Sequence, residues 1–264
     1  VEWELLHGQH SAPSTHPSIL HFSINKAATQ YVKDLLFRCG RECGVTPVAL
    51  HDLAFECDLP WFTSLTPEEE RQYLRAFKPE GYVYSVFGGV VRNIQQFDRY
   101  RVLLTVRDPR DILVSQFYSI RYSHAPPGGG DRKAEFQRLR EIALSQDIDT
   151  YVLEHAEKLR ATFLDYIDCL FPLPDNVRVL RYEDMVESFE VWLDALLSHC
   201  ELGITSTLRS ELIEESALTK RRKEDPSKHL RKGKAGDHAE KLSPRTIAAL
   251  DRMFCDILKA FGYA

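Results

Sequence analysis

Short apolar runs alternate along this chain with stretches whose apolar residues recur every three or four positions. Ser18–Ile24 (SILHFSI) is apolar and β-branched, which predicts a strand. After a polar break at Asn25–Gln30, the residues Tyr31, Val32, Leu35, Leu36 and Cys39 repeat with the period of a helix. Thr46–Leu50 and Tyr82–Phe87 predict two further strands, and Arg101–Val106 (RVLLTV) gives the clearest strand pattern in the chain. A last strand is expected at Val177–Leu180. Thr66-Pro67-Glu68-Glu69 opens a helix, with proline at its first position and acids in its first turn. Asp108 caps and Pro109 opens another that runs through Tyr118. Further helices are expected over Thr150–Phe171, near Val186–Ser198, and from Ser243-Pro244 to about Phe261, while HAPPGGGDR at 124–132 predicts a flexible loop.

Strands alternating with helices imply an α/β fold: a central, mostly parallel sheet flanked by helices. No shift in composition marks a boundary and no internal repeat is present, so one domain is expected over 1–264, with 1–17 a poorly structured N-terminal extension.

Composition narrows the function. Apolar residues make up 44% and charged residues 28% of 264, ordinary globular usage. The formal net charge of −5 argues against a general nucleic-acid binder. It hides an asymmetry: 219–234 (TKRRKEDPSKHLRKGK) holds eight Lys/Arg against two acids, a local +6 that leaves −11 for the rest. The six cysteines, at 39, 43, 57, 169, 200 and 255, are too sparse for a disulfide framework and lack a partner set for zinc, so buried free thiols are expected. No run of 18 apolar residues predicts a membrane span, and residues 1–18 lack the pattern of a secretory signal, so a cytoplasmic location is the expectation.

Ligands of open α/β sheets bind beyond the carboxyl ends of the strands. Strand, polar loop and helix follow one another in HFSI-NKAATQ-YVKDLL, where a helix N-terminus, Lys26 and the Thr29 hydroxyl offer a phosphate site. The glycine pattern GxxxxGK[ST] of nucleoside-triphosphate loops is absent, which disfavours a kinase.

NKAATQY resembles the first phosphate loop, P-K-x-G-T-[ST]-[WFY], of the sulfotransferases that use 3′-phosphoadenosine 5′-phosphosulfate (PAPS). Lys26, Thr29 and Tyr31 match; Ala28 stands where the pattern has glycine, and Gln30 where it has a hydroxyl. The resemblance implies cofactor contacts from Lys26, Ala27, Ala28, Thr29, Gln30 and Tyr31. RVLLTVRDPRDILVSQFYS resembles the family's 3′-phosphate motif, with Arg107 at the strand end and Ser115 eight residues on. A guanidinium there is a planar fork suited to two phosphate oxygens; the competing reading is a salt bridge from Arg107 to Asp111 alone. Arg181-Tyr182-Glu183-Asp184 resembles the family's L-R-Y-E-D, whose tyrosine contacts the adenine region, although Asp184 as a helix cap and Tyr182 as packing explain it equally. HLRKGKAGDHAEKLSPR resembles R-K-G-x-x-G-D-W-K-x-x-[FL]-[ST], implying that Arg231, Lys232 and Gly233 clamp a phosphate, with His238 in place of tryptophan. Ser216 falls at a weaker nucleotide-contacting match.

These segments imply a P-loop-like sulfotransferase fold. They also imply transfer of a sulfuryl group from PAPS to an acceptor hydroxyl or amine by in-line displacement, with PAP as product and no metal. Lys26 would stabilise the leaving 5′-phosphate and the bridging oxygen. The K-T-H histidine that small-molecule members use as base is missing from Tyr84–Gly89. The position after the second strand, where glycosaminoglycan-type members carry a glutamate, holds His51 and Asp52, so His51 is the candidate base and Asp52 the second. The partners implied are a small-molecule or glycan acceptor, with neither nucleic acid nor membrane, and a homodimer is among the assemblies permitted. The alternative is a catalytically impaired sulfotransferase-like nucleotide-binding module. Phe55, Trp61, Phe62, Phe87 and Tyr122 are candidates for an apolar acceptor pocket, against the commoner role of core packing.

Overall fold

The computed structural model describes residues 1–60, 65–87, 89–123, 130–173, 175–220 and 234–264. They form two compact units: Val1–Val106 with Asp165–Glu215, and Arg107–Leu164 with Ser216–Ala264.

The first unit holds the sheet. Its strands are β1 (Ile19–Ser23), β2 (Thr46–Val48), β3 (Tyr82–Phe87), β4 (Arg101–Val106) and β5 (Val177–Arg181). They are parallel throughout, in the order β2-β3-β1-β4-β5. β1 lies between β3 and β4 and is buried at all five positions, so its apolar residues Ile19, Leu20 and Phe22 fall on both faces instead of alternating with exposed ones. Against this sheet pack Leu35, Leu36 and Cys39 of the helix Thr29–Glu42 and Leu193, Leu196 and Cys200 of the helix Phe189–Cys200, in one core with Ile19, Val83, Leu103 and Leu180. Each such buried side chain contributes about 1.5–3 kcal/mol relative to exposure.

The second unit is helical. Pro109–Tyr118 is capped by Asp108, which accepts the Arg110 amide at 2.9 Å, as the sequence predicts. Arg110 ties that cap to the helix Pro244–Met253 by ion pairs of 2.6 Å to Asp108 and 2.6 Å to Asp251. Phe163 meets Phe261 edge-on, and Asp149 accepts the Ser243 amide, so both ends of the final helical segment are anchored. That segment breaks at Phe254 into Pro244–Met253 and Cys255–Ala260.

The structure corrects three expectations. Residues 1–17 are not a loose extension: Glu2–Leu6 is helical, with Leu5 and Leu6 buried, the Glu2 carboxylate accepting the Ala49 amide at 2.9 Å, and the Tyr82 hydroxyl accepting the Ala12 amide at 2.7 Å. A helix of one and a half turns is too short to leave a periodic signature, and two buried leucines hold it in place. The second strand stops at Val48 rather than Leu50; Leu50–Glu56 is a helix, so His51 and Asp52 lie in a first helical turn instead of at a strand end. Of the loop expected at 124–132, residues 124–129 lie outside the described residues, and 130–132 already belong to the helix Gly130–Ser145.

Candidate active site

The loop after β1 is built by backbone contacts. Ile24 extends the pairing with β4 by donating its amide to the Thr105 carbonyl at 3.1 Å, and the Ala27 amide returns to the Ile24 carbonyl at 3.1 Å. Between them the chain turns through Lys26, whose φ of 74° is left-handed, and it enters the helix through Ala28 at φ 60°. The Ser23 hydroxyl lies 2.7 Å from that of Thr29, closing the base of the loop. No side chain caps this helix, and its first internal bond runs from the Val32 amide to the Ala28 carbonyl. The amides of Thr29, Gln30 and Tyr31 therefore precede that bond, at the positive end of the helix dipole. Lys26 is half-buried, Ala27 buried and Gln30 exposed; the Tyr31 ring packs edge-on against Phe189, 6.3 Å between centroids. A turn that brings a lysine to an uncapped helix N-terminus can hold a phosphate group.

His51 and Asp52 stand on the short helix Leu50–Glu56. Asp52 is engaged: its Oδ2 lies 2.6 Å from Lys33 Nζ. His51 is half-buried, and its imidazole is held below its ordinary value, chiefly by burial; Asp52 pulls it back up and Lys33 presses it further down. A neutral imidazole near pH 7 is the form a general base needs. Lys33 was missed from sequence, because a lysine inside a helical repeat reads as a solvated position.

His21 is fully buried at the centre of β1, between Ser85 Oγ at 3.0 Å and Thr105 Oγ1 at 3.1 Å. Burial lowers it to about 3, so it stays neutral and bridges β3 and β4 through hydroxyls. Its role is structural.

In the second unit Asp111 organises the residues around Arg107. Asp111 is wholly buried and accepts the Gly236 amide at 2.8 Å, the His238 amide at 2.9 Å and His238 Nδ1 at 2.7 Å. Burial alone would raise its carboxyl, but the His238 hydrogen bond, the Arg107 charge and the His238 amide outweigh it and hold it at about 2. Gly236 adopts φ 79°, a conformation that favours glycine, as it opens the helix Asp237–Lys241. Arg107 Nη2 lies 3.5 Å from both Asp111 Oδ2 and the Lys234 carbonyl, at the long limit of hydrogen bonding. The Arg107–Asp111 contact foreseen as an alternative thus exists, but it is the longest that Asp111 makes. Ser115 lies on the same helix, half-buried.

Of the other expected site residues, Tyr182 opens the helix Tyr182–Glu187 and packs on the sheet core, while Asp184 pairs with Arg181 instead of capping. Ser216 is buried in the helix Ser206–Lys220. Arg231, Lys232 and Gly233, most of the basic run, and Trp61 and Phe62 lie outside the described residues. Phe55 and Tyr122 are exposed, and Tyr122 stacks on Tyr118. All six cysteines are free, but only Cys39 and Cys200 are buried; Cys57 and Cys255 are exposed, against the expectation of burial. Among the described residues no group of three or more His, Cys, Asp or Glu is placed to hold a metal ion, and no helix is long and apolar enough to cross a membrane.

Solved structures share this fold at low sequence identity. A mouse sulfotransferase, SULT7A1, complexed with PAP is 15% identical over 97% of this chain and 89% of its own, with a TM-score of 0.59. Sulfotransferase STF9 from Mycobacterium avium is 11% identical over 98% and 79%, with a TM-score of 0.53. A retinol dehydratase in a complex with retinol and PAP is 15% identical over 97% and 84%, with a TM-score of 0.52. No curated protein sequence matches the chain. The family model for the sulfotransferase domain matches residues 92–262, more than half of the sequence. Because that match takes in the Arg107 strand end and the Gly236–His238 segment pinned to Asp111, the chain belongs to the sulfotransferase domain family.

Proposed function

We propose that this chain is a PAPS-dependent sulfotransferase, moving a sulfuryl group to a hydroxyl or amine of a small-molecule or glycan acceptor. The observation that carries this reading is the loop after β1, where Lys26 sits in a left-handed turn before an uncapped helix. Each set of donors suits a phosphate: amides and an ammonium in the loop after β1, and a planar guanidinium at Arg107. The PAP complexes of the mouse enzyme and the retinol dehydratase support the same nucleotide here.

The bound nucleotide supplies an activated sulfuryl group on a phosphate leaving group. Lys26 and the amides of Thr29, Gln30 and Tyr31 neutralise charge at the 5′-phosphate, where positioning and electrostatics do most of the work. Ala27 and Ala28 shape that loop. By resemblance, Arg107 and Ser115 would contact the 3′-phosphate, with Arg231, Lys232 and Gly233 as further phosphate ligands. Tyr182 and Ser216 are nucleotide contacts by resemblance. His51 takes the acceptor proton. Asp52 is the second candidate, since its Oδ2 is already engaged by the Lys33 ammonium at 2.6 Å.

The test is PAP binding by calorimetry followed by sulfate transfer across a library of hydroxyl and amine acceptors. Transfer that disappears in Lys26→Ala supports the proposal, and Lys26→Ala at wild-type rate overturns Lys26's role. Binding without transfer to any acceptor selects the nucleotide-binding module instead. His51→Ala should lower kcat by about 10²–10⁴ while leaving PAP affinity within about twofold.

A further inference from the structure

Lys33 is a charged residue in an apolar setting. It lies on the helix that begins at the phosphate loop, its side chain only 10% exposed and its Nζ 6.0 Å from the centroid of the Phe37 ring. Burying an ammonium is unfavourable by several kcal/mol unless it is paired. Its partner is Asp52 at 2.6 Å; Asp34, the next acid, stands at 4.0 Å and is mostly exposed. The pair joins two elements, the phosphate-loop helix and the short helix Leu50–Glu56. The start of the same helix is also fastened from the N-terminal helix, where Glu2 accepts the Ala49 amide. His51 lies between these two anchors.

We infer that Lys33 is a positioning residue: by gripping Asp52 it fixes His51 relative to the phosphate loop, and it balances the carboxylate charge beside the imidazole. The inference rests on His51 being the base. The charges that act on His51 are Asp52 on its own helix and Lys33 on the phosphate-loop helix; Glu2 of the N-terminal helix reaches the nearby Ala49 amide, and Asp34 lies 4.0 Å from Lys33 Nζ. From β3, which packs against the short helix, the titratable residues are Tyr82 and Tyr84. Burial keeps both protonated, and their hydroxyls are bonded to the Ala12 amide and to Lys78 and Ala76. Lys33 and Asp52 therefore act on His51 with opposite sign, and removing either one must move it in the opposite direction from removing the other.

The experiment follows His51 directly by NMR titration in the full chain, alongside the pH profile of kcat. Lys33→Met, which keeps the length and apolar stem, should raise the His51 midpoint and move the acid limb of kcat to higher pH. Asp52→Asn should lower the midpoint and move that limb to lower pH. The double variant should fall between the two. Lys33→Met should also lose about ten- to a hundredfold in kcat with PAP binding unchanged. Midpoints that move together, or do not move, overturn the inference, and so does a Lys33→Met protein with full kcat. Midpoints that separate as expected while the kcat profile stays put uphold the Lys33–Asp52 balance and overturn His51 as the base. Thermal unfolding of each variant, with PAP binding retained, shows that the comparison is made on folded protein.

Discussion

Asp111 Oδ1 accepts a hydrogen bond from His238 Nδ1 at 2.7 Å, while the same carboxylate takes the amides of Gly236 and His238. One buried acid on the helix after β4 thereby fixes a segment more than a hundred residues away in sequence. Asp111→Asn keeps the shape and removes the charge, leaving donors from 236–238 facing a weaker acceptor. It should destabilise the protein by about 3 kcal/mol. The pH dependence has a definite sign. Asp111 is held at about 2, below its ordinary 3.8, so its stabilisation is complete above the unfolded value and is lost as pH falls through the folded one. Urea midpoints measured from pH 5 to pH 2 should fall in the wild type by an extra amount worth roughly 2 kcal/mol. In Asp111→Asn that part of the slope should be missing. Parallel slopes in the two proteins would show that Asp111 is not the titrating group.

Ala28 occupies a left-handed conformation, φ 60° and ψ 29°, at the entrance to the phosphate-loop helix. A Cβ there is unfavourable by about 1 kcal/mol relative to glycine. Ala28→Gly should raise stability by about that amount, or roughly 2–4 °C in Tm. Ala28→Val, with a branched side chain in the same conformation, should lower Tm by more than Ala28→Gly raises it. Thermal unfolding of the two variants checks both signs, and a Tm that falls in Ala28→Gly would mean that the methyl group's packing outweighs the backbone strain.

The contrast between Ala28 and Lys33 shows what is legible in a chain like this one. All five strands and the loop after β1 follow from local patterns, because short runs rich in apolar and β-branched residues mark the strands and a polar break follows β1. The odd residue at position 28 is visible too, since a glycine is expected there. Lys33 carries no such mark: its burial depends on Asp52, nineteen residues on and on another helix. The helices Glu2–Leu6, Leu50–Glu56 and Asp237–Lys241 escape for a related reason. Each is too short for a period to emerge, and each is held by tertiary partners such as Ala49, Lys33 and Asp111.

Gly81 tests the packed N-terminal segment. It sits at φ 92°, donates its amide to the His16 carbonyl, and accepts the Thr46 amide. A Cβ at this position would lie 2.6 Å from Ala12 Cβ and 2.9 Å from the Ser14 carbonyl oxygen. Gly81→Ala therefore combines an unfavourable backbone conformation with a clash against backbone. It should destabilise by about 2 kcal/mol or more. The effect should be local as well as global: limited proteolysis should cut within residues 8–16 faster in the variant than in the wild type. Equal cleavage rates there would mean that the segment is not held by the contacts at Gly81.

Arg107 carries the most specific prediction about the ligand. It stands at the end of β4, and its planar guanidinium can present two parallel donors to phosphate oxygens. A lysine keeps the charge but presents a single point rather than a fork. Arg107→Lys should thus weaken adenosine 3′,5′-bisphosphate by about ten- to a hundredfold while changing the affinity for adenosine 5′-phosphate by less than about twofold. The ratio of the two affinities, taken by calorimetry at one salt concentration, reports contact with the 3′-phosphate independently of turnover. A structural role for Arg107, as a partner of Asp111 only, would weaken both nucleotides in step and leave that ratio unchanged.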